Sequence, residues 1–252
     1  MNTIIKVRDL FKAFHDHEVL KGVSLDIEEG KITTVIGKSG TGKSVLLKNI
    51  IGILKPDSGE IFYRDSKIND IKPQELLEFR KKIGYLFQNA ALFDFMTVKE
   101  NIAFPLVEQL GMKSGKKLDD RVAKLLDLVE LPGIENKFPS ELSGGMRKRV
   151  GLARAIAVEP EIVLFDEPTT GLDPILAQSI DSLIIKVNRE LNMTCIVISH
   201  DIPSTLESAD KVALLFDGTI QFSGTPDEVM RSDHDILKQF ISNSFRSRGE
   251  IK

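Results

Sequence analysis

Gly37-Lys38-Ser39-Gly40-Thr41-Gly42-Lys43-Ser44 decides how the rest of this chain is read. It satisfies the pattern G-x-x-x-x-G-K-[ST] in full, the signature of a loop that wraps phosphates. Lys31-Ile32-Thr33-Thr34-Val35-Ile36 before it is β-branched and predicts a strand. After it, Leu46, Leu47, Ile50 and Leu54 recur at helical spacing and predict a helix over 43–53. Strand, loop, helix is the context the motif requires. The glycines let the backbone curl until successive N–H groups point inward, and the helix N-terminus adds partial positive charge at the same place. In such a loop Lys43 reaches the β- and γ-phosphates of a nucleotide and the Ser44 hydroxyl ligates Mg²⁺.

A chain of 252 residues is long enough for one large or two small domains with a real core. Basic residues number 34 and acidic residues 37, a net charge of −3, so no cationic field attracts nucleic acid. No run approaches the ~18 consecutive apolar residues of a membrane span, and Met1-Asn2-Thr3-Ile4-Ile5-Lys6 lacks the apolar stretch of a signal peptide. A cytoplasmic chain, able to sit on the inner face of a membrane, is expected. The single Cys195 lies in the apolar run Thr194–Ile198 and is expected to be a buried, inert thiol. His15 and His17 have no Cys or acid at metal-ligand spacing and read as solvated turn residues.

On the N-terminal side, Ile4–Val7 and Val23–Ile27 predict two strands of an antiparallel layer. Phe14 precedes the second, where it is either core or a platform for an adenine ring. On the C-terminal side, strands are predicted at 59–63 and 83–87, with a short polar helix at 72–82 between them. Gln88 ends the second of these strands, where a ligand loop would begin. The pattern then turns helical, with helices at 97–110, 118–131 and from Gly144 onward, which points to an inserted subdomain; 111–117 reads as its exposed, flexible connection. Beyond it come strands at 162–165, 194–199 and 211–216, helices at 175–191 and 202–209, and an Asp217-Gly218 hairpin into 219–222. Thr225-Pro226 opens a terminal amphipathic helix, and 246–252 read as a frayed tail.

Two further constellations carry chemistry. Ile162-Val163-Leu164-Phe165 is capped by Asp166 and Glu167, carboxylates that read either as a helix cap or turn, or as the second half of a phosphate-loop site. In the second reading Asp166 holds Mg²⁺ through water and Glu167 orients or deprotonates the attacking water. Leu142-Ser143-Gly144-Gly145-Met146 opens a helix flanked by Arg147, Lys148, Arg149 and Arg154, a second anion cradle without a phosphate-loop lysine. One nucleotide cannot easily fill both cradles. Ser143 is thus either an ordinary N-cap or, in a head-to-tail dimer, a group facing the γ-phosphate held by the other copy.

These residues resemble the ATP-binding cassette ATPases. Gly37–Ser44 resembles their Walker A motif, Ile162–Glu167 Walker B, Leu142–Met146 the signature motif and Gln88 the Q-loop glutamine. Thr170-Gly171-Leu172-Asp173 is similar to the D-loop, and His200 to the switch histidine. The resemblance covers nearly the whole chain. It implies an α/β fold: a P-loop NTPase core with an antiparallel β layer and an inserted helical (signature) subdomain. Residues 1–89 and 158–224 would form the core and β layer, 90–157 the helical subdomain, and 225–252 a C-terminal helix and tail. It implies an ATP sandwich dimer with Glu167 as catalytic base and His200 and Lys43 at the γ-phosphate. Phe14, Gly37, Lys38, Ser39, Gly40, Thr41, Gly42, Ser44, Val45, Gln88, Ser143, Gly144, Gly145, Asp166 and Asp173 would surround the nucleotide, with Mg²⁺ near Ser44, Gln88 and, through water, Asp166. Departures are Met146 for the usual Gln, Val45 for a common hydroxyl and Lys38 for a frequent Pro; none touches Lys43, Ser44, Asp166 or Glu167.

The stretch from Phe87 to Val98, with Glu100–Leu106 and the signature ending in Met146, is similar to the ATPases of bacterial lipid transporters that work with MCE-domain proteins. The apolar Ala90-Ala91-Leu92-Phe93 serves as core of the helical part, as a docking surface for a permease, or both. The implied function is an ATPase that drives an integral permease, for phospholipid with an MCE-type protein. Its rivals are another import or export cassette, for instance for amino acids, and a regulatory or assembly ATPase of the same fold.

Overall fold

The computed structural model describes residues 2–247. They form two compact units, one from the described residues of 1–80 and 194–252, the other from 81–193. The first unit begins with β1 (Thr3–Phe14), β2 (His17–Glu28), β3 (Ile32–Ile36), α1 (Lys43–Ile50), β4 (Ser58–Tyr63), β5 (Ser66–Lys67) and α2 (Pro73–Lys81). The second carries β6 (Ile83–Leu86), α3 (Val98–Leu110), α4 (Lys116–Leu128), α5 (Gly144–Ile156), β7 (Ile162–Asp166) and α6 (Pro174–Leu191). The chain returns to the first unit with β8 (Thr194–Ser199), α7 (Ile202–Ser208), β9 (Lys211–Phe216), β10 (Thr219–Gly224), α8 (Pro226–Arg231) and α9 (Asp235–Ser247).

In the first unit the strand order β10-β9-β3-β8 places β3 at the centre, parallel to both β8 and β9. All five residues of β3 and all six of β8 are buried, as expected of parallel strands covered on both faces. Cys195 lies in that core, fully buried. Helices α7, α8 and α9 cover the sheet through one cluster in which Ile36, Ile202, Val212, Leu214, Val229 and Leu237 meet. The second sheet, β2-β1-β4-β5, is antiparallel and one-sided: Ile5, Val7 and Leu10 point inward opposite Ile27, Leu25 and Val23.

The β1–β2 hairpin is longer than its sequence pattern predicts. Asp9 has φ 44° and the register shifts between Val7 and Leu10, so the period of two breaks and conceals the strand's continuation to Phe14. His15 stands in the turn, whereas His17 already belongs to β2; both are exposed. The terminal helix is two helices. Ser232 adopts extended backbone, and its hydroxyl accepts a bond from the His234 amide at 3.2 Å, which competes with continuation of the helix. Of the expected tail, residues 246 and 247 belong to α9 and 248–252 lie outside the described residues. Strand β5 and a short 3₁₀ turn over Pro139–Glu141 have no counterpart in the sequence reading.

In the second unit β6 and β7 run parallel, Leu86 opposite Phe165. Helix α3 starts with a reciprocal capping box between Thr97 and Glu100 and ends at Gly111 in the left-handed region. Fully buried Asn101 on α3 organises the preceding loop. Its Nδ2 donates to the carbonyls of Phe93, Met96 and Thr97 at 3.0–3.1 Å, and its Oδ1 accepts from the Phe93 amide at 2.9 Å. Asn101→Leu leaves the Phe93 amide and the Met96 carbonyl without these partners and is expected to cost about 3 kcal/mol, lowering the melting temperature by roughly 6–12 °C. Thermal unfolding checks this; a drop below about 2 °C would contradict the role given to Asn101.

Candidate nucleotide site

In the first unit the phosphate loop leaves the C-terminal end of β3. Ile36 pairs with Ser199 on one side and Leu214 on the other, so Gly37 and His200 emerge at the same edge, where ligands of parallel sheets bind. The loop closes around its own lysine. Lys43, 4% exposed, donates from Nζ to the carbonyls of Gly37 at 2.8 Å and Lys38 at 2.9 Å. The Thr41 hydroxyl also donates to Lys38 O at 2.9 Å. Lys38, Ser39 and Gly40 form the exposed tip.

Two glycines are required here. A Cβ at Gly37 would lie 2.4 Å from the Leu215 carbonyl oxygen, and Gly42 holds φ 97° with Val19 Cγ1 2.8 Å from where its Cβ would be. Gly42 is also the N-cap of α1 and supplies no side-chain acceptor, and the first turn of α1 has no acid, so the helix N-terminus is left for an anion. This cradle of curled backbone, helix terminus and buried ammonium fits a nucleotide's phosphates. Phe14, at the end of β1, is 40% exposed, with Lys12 Nζ 5.5 Å from its ring centre. An exposed ring of this kind remains available for stacking, and the core reading of Phe14 does not hold. Val45 is half-buried on α1.

In the second unit the pairing of Leu86 with Phe165 brings Gln88, Asp166 and Glu167 to a common strand end. Gln88 is exposed; Asp166 and Glu167 are half-buried. The Tyr85 hydroxyl donates to Asp166 Oδ2 at 3.1 Å; burial, with the negative charge of Asp166, pushes that hydroxyl far above its usual range, so it stays a donor. Glu167 holds φ 48°, rare for a residue with a side chain, and Thr170 Oγ1 donates to its Oε2 at 2.8 Å. The sequence reading placed Tyr85 only in a strand and Thr170 only in the D-loop, because only the fold aims them at these carboxylates.

Ser143 caps α5, its hydroxyl accepting from the Met146 amide at 3.3 Å, and Asp173 caps α6 by accepting from the Ile175 and Leu176 amides at 3.1 Å each. A site role for either residue therefore comes on top of a capping role. Gly144 and Gly145 pack under Leu172 and Leu176. The expected cationic flank of this cradle needs correction. Lys148 points inward to the carbonyls of Gln88 and Glu167; Arg149 binds Val129 O, Glu130 and Ser179; Arg154 binds Ala90 O at 2.8 Å. Of the four cations only Arg147 is exposed, and it donates to Leu142 O. Any anion at this helix end meets Ser143, backbone N–H groups and at most Arg147, not the expected four cations.

Residues 20–170 match the family model described as "ABC transporter". The chain is 39% identical over 242 residues to the probable ribonucleotide transport ATP-binding protein mkl of Mycobacterium leprae, covering 96% of this chain and 70% of that one. It is 40% identical over 238 residues to the intermembrane phospholipid transport system ATP-binding protein MlaF of Haemophilus influenzae, covering 94% and 90%. Among solved structures it resembles the dimeric post-hydrolysis state of the cassette MJ0796 bound to ADP and Pi, with a TM-score of 0.80 and 34% identity over 88% of this chain and 98% of that one. A complete phosphate loop on a buried parallel sheet, with a family match across more than half its length, places this chain in the ABC transporter family, as an ATP-binding and ATP-hydrolysing subunit.

Proposed function

We propose that the chain forms one cassette domain, with 90–157 its helical part, and powers an integral permease that moves phospholipid. The observation that carries the ATPase reading is the phosphate loop closed around Lys43, with Gly37 and Gly42 where no side chain fits. The phosphates would take the N–H groups of Gly37–Ser44, and Lys43 would exchange its carbonyl acceptors for phosphate oxygens. Ser44, Asp166 and the Gln88 carboxamide offer the hard oxygen donors that suit Mg²⁺. The ion would neutralise charge on the phosphates. Glu167 takes the proton of the attacking water, His200 contacts the γ-phosphate, Phe14 carries the adenine, and Ser143, Gly144, Gly145 and Asp173 act on the nucleotide of a second, head-to-tail copy.

The lipid reading is supported by the kinship with MlaF and by a groove in the second unit. This cavity of about 390 Å³ is lined by Tyr85, Phe87, Ala91, Phe93, Phe104 and Pro105 among others. Phe93 packs tilted against Phe95 and edge-on against Phe104, with ring centroids 5.9 and 5.1 Å away, and Phe95 is 77% exposed. Exposed aromatics around a concave apolar surface suit a permease helix. Among the described residues no helix is long and apolar enough to cross a membrane. We place the subunit on the inner face of the cytoplasmic membrane, held there by the permease, with an MCE-type protein in the same assembly.

Glu167→Gln is expected to preserve ATP binding, slow hydrolysis by at least ~10²–10⁴-fold and trap a dimer with ATP and Mg²⁺, as read by turnover and gel filtration. Unchanged turnover would remove Glu167 from the base role. Ser143→Arg and Lys43→Ala should each be inactive alone, whereas the mixture regains hydrolysis because a mixed dimer keeps one intact composite site. Mixing without recovery would place both residues in the site of a single chain. Phe95→Ala is expected to weaken permease association by roughly 5–30-fold while basal hydrolysis stays unchanged. The reconstituted complex should transfer labelled phospholipid in an ATP-dependent way that Glu167→Gln abolishes. Stimulation by an amino acid and its binding protein, with no lipid transfer, would favour an amino-acid cassette instead.

A further inference from the structure

Lys148 stands in the second turn of α5, only 5% exposed. An ammonium group is costly to bury unless its protons find acceptors. Here they go to main-chain carbonyls at two separate strand ends: Nζ donates to Gln88 O and to Glu167 O, the latter at 3.4 Å. The first carbonyl lies two residues beyond β6 and the second one residue beyond β7.

The loops it grips are strained. Glu167, Ala90 and Ala91 have φ of 48°, 59° and 48°, left-handed conformations that cost residues with side chains roughly 1–3 kcal/mol each unless their surroundings hold them. Thr170 fixes the Glu167 carboxylate, and Arg154, further along α5, fixes the Ala90 carbonyl. The Lys148 ammonium thus joins the Gln88 loop to the Glu167 backbone. Burial lowers the proton affinity of Lys148, and the negative charges of Glu167 and Asp166 oppose that effect.

We propose that Lys148 is a positioning residue for ATP hydrolysis: by holding the carbonyls of Gln88 and Glu167 together it sets the direction in which the Glu167 carboxylate leaves the backbone. The inference rests on the reading of Glu167 as the base. Lys148, buried against two main-chain carbonyls, acts through the backbone of Glu167. It also ties the helix that begins at Ser143 to both loops, so any displacement of α5 is passed to Gln88 and Glu167 together.

The test compares the full-length wild type, Lys148→Met, Glu167→Gln and the double variant, measuring kcat, KM, fluorescent-nucleotide affinity and melting temperature. Methionine fills much of the same volume but leaves both carbonyls without this donor. The expected result is a kcat reduced roughly 10- to 100-fold, the loss typical of a misplaced catalytic group, with nucleotide affinity within about twofold of wild type. In the Glu167→Gln background, adding Lys148→Met should change single-turnover hydrolysis by less than about twofold, because the group that Lys148 positions is already gone. Wild-type kcat in Lys148→Met, a loss confined to affinity or melting temperature, or a further tenfold loss in the double variant would each overturn the proposal. Turnover retained by Glu167→Gln would overturn the base reading itself, an outcome distinct from those. Should Lys148→Met not fold, Lys148→Gln, a shorter donor that cannot span both carbonyls, carries the same comparison with the same expected and contrary results.

Discussion

Parallel pairing in register is the constraint on which the rest of this structure depends. Parallel strands run in one direction, so each delivers its following loop to one edge of the sheet. In the first unit, Ile36 beside Ser199 and Leu214 aligns the phosphate loop with His200. In the second, Leu86 beside Phe165 aligns Gln88 with Asp166 and Glu167. A slip of one residue would move a loop by about 3.3 Å and turn every side chain of the strand to its other face. The continuous burial of β3 and β8 makes that slip prohibitively costly, because Ile32, Val35, Cys195 and Ile198 have no solvent face to exchange with.

Both units solve the burial of positive charge in the same way. Lys43, Lys148 and Arg154 give their N–H groups to main-chain carbonyls of the loops beside them. A carbonyl acceptor satisfies the cation without adding a second charge to be desolvated, the penalty that makes buried ion pairs poor stabilisers. The difference between the lysines lies in their acceptors. Those of Lys43 belong to a loop whose tip, Lys38–Gly40, is exposed, where phosphate oxygens would compete for the ammonium. Those of Lys148 lie within two residues of the ends of two strands, so its bonds hold a shape.

The caps follow a similar economy. Ser143 and Asp173 are ordinary N-caps by their hydrogen bonds, yet each stands at the point where its helix turns an N-terminus outward. A cap orders the first turn and so fixes the direction of the remaining backbone N–H groups. Stability and anion recognition therefore draw on the same residues.

Much of the architecture was legible in the amino-acid sequence because it rests on local rules. The phosphate loop, the buried strands over 162–165 and 194–199, and the helix starts at Thr97, Ser143 and Thr225 are written in spacing, β-branching and cap chemistry. The full β1–β2 hairpin was not legible, because one left-handed residue, Asp9, interrupts the period that reveals a strand. Nor was the break between α8 and α9, which depends on a hydroxyl at Ser232 competing with the helix ladder. The cations after the signature read as one basic flank, since charge is visible in a sequence and direction is not. Only the tertiary structure turned Lys148 and Arg154 inward, aimed Thr170 and Tyr85 at the two carboxylates, and gathered Phe93 and Phe104 around one groove with Phe95 against Phe93. Motif and period are properties of neighbours along the chain, whereas each of those contacts joins side chains to groups that only folding brings within reach.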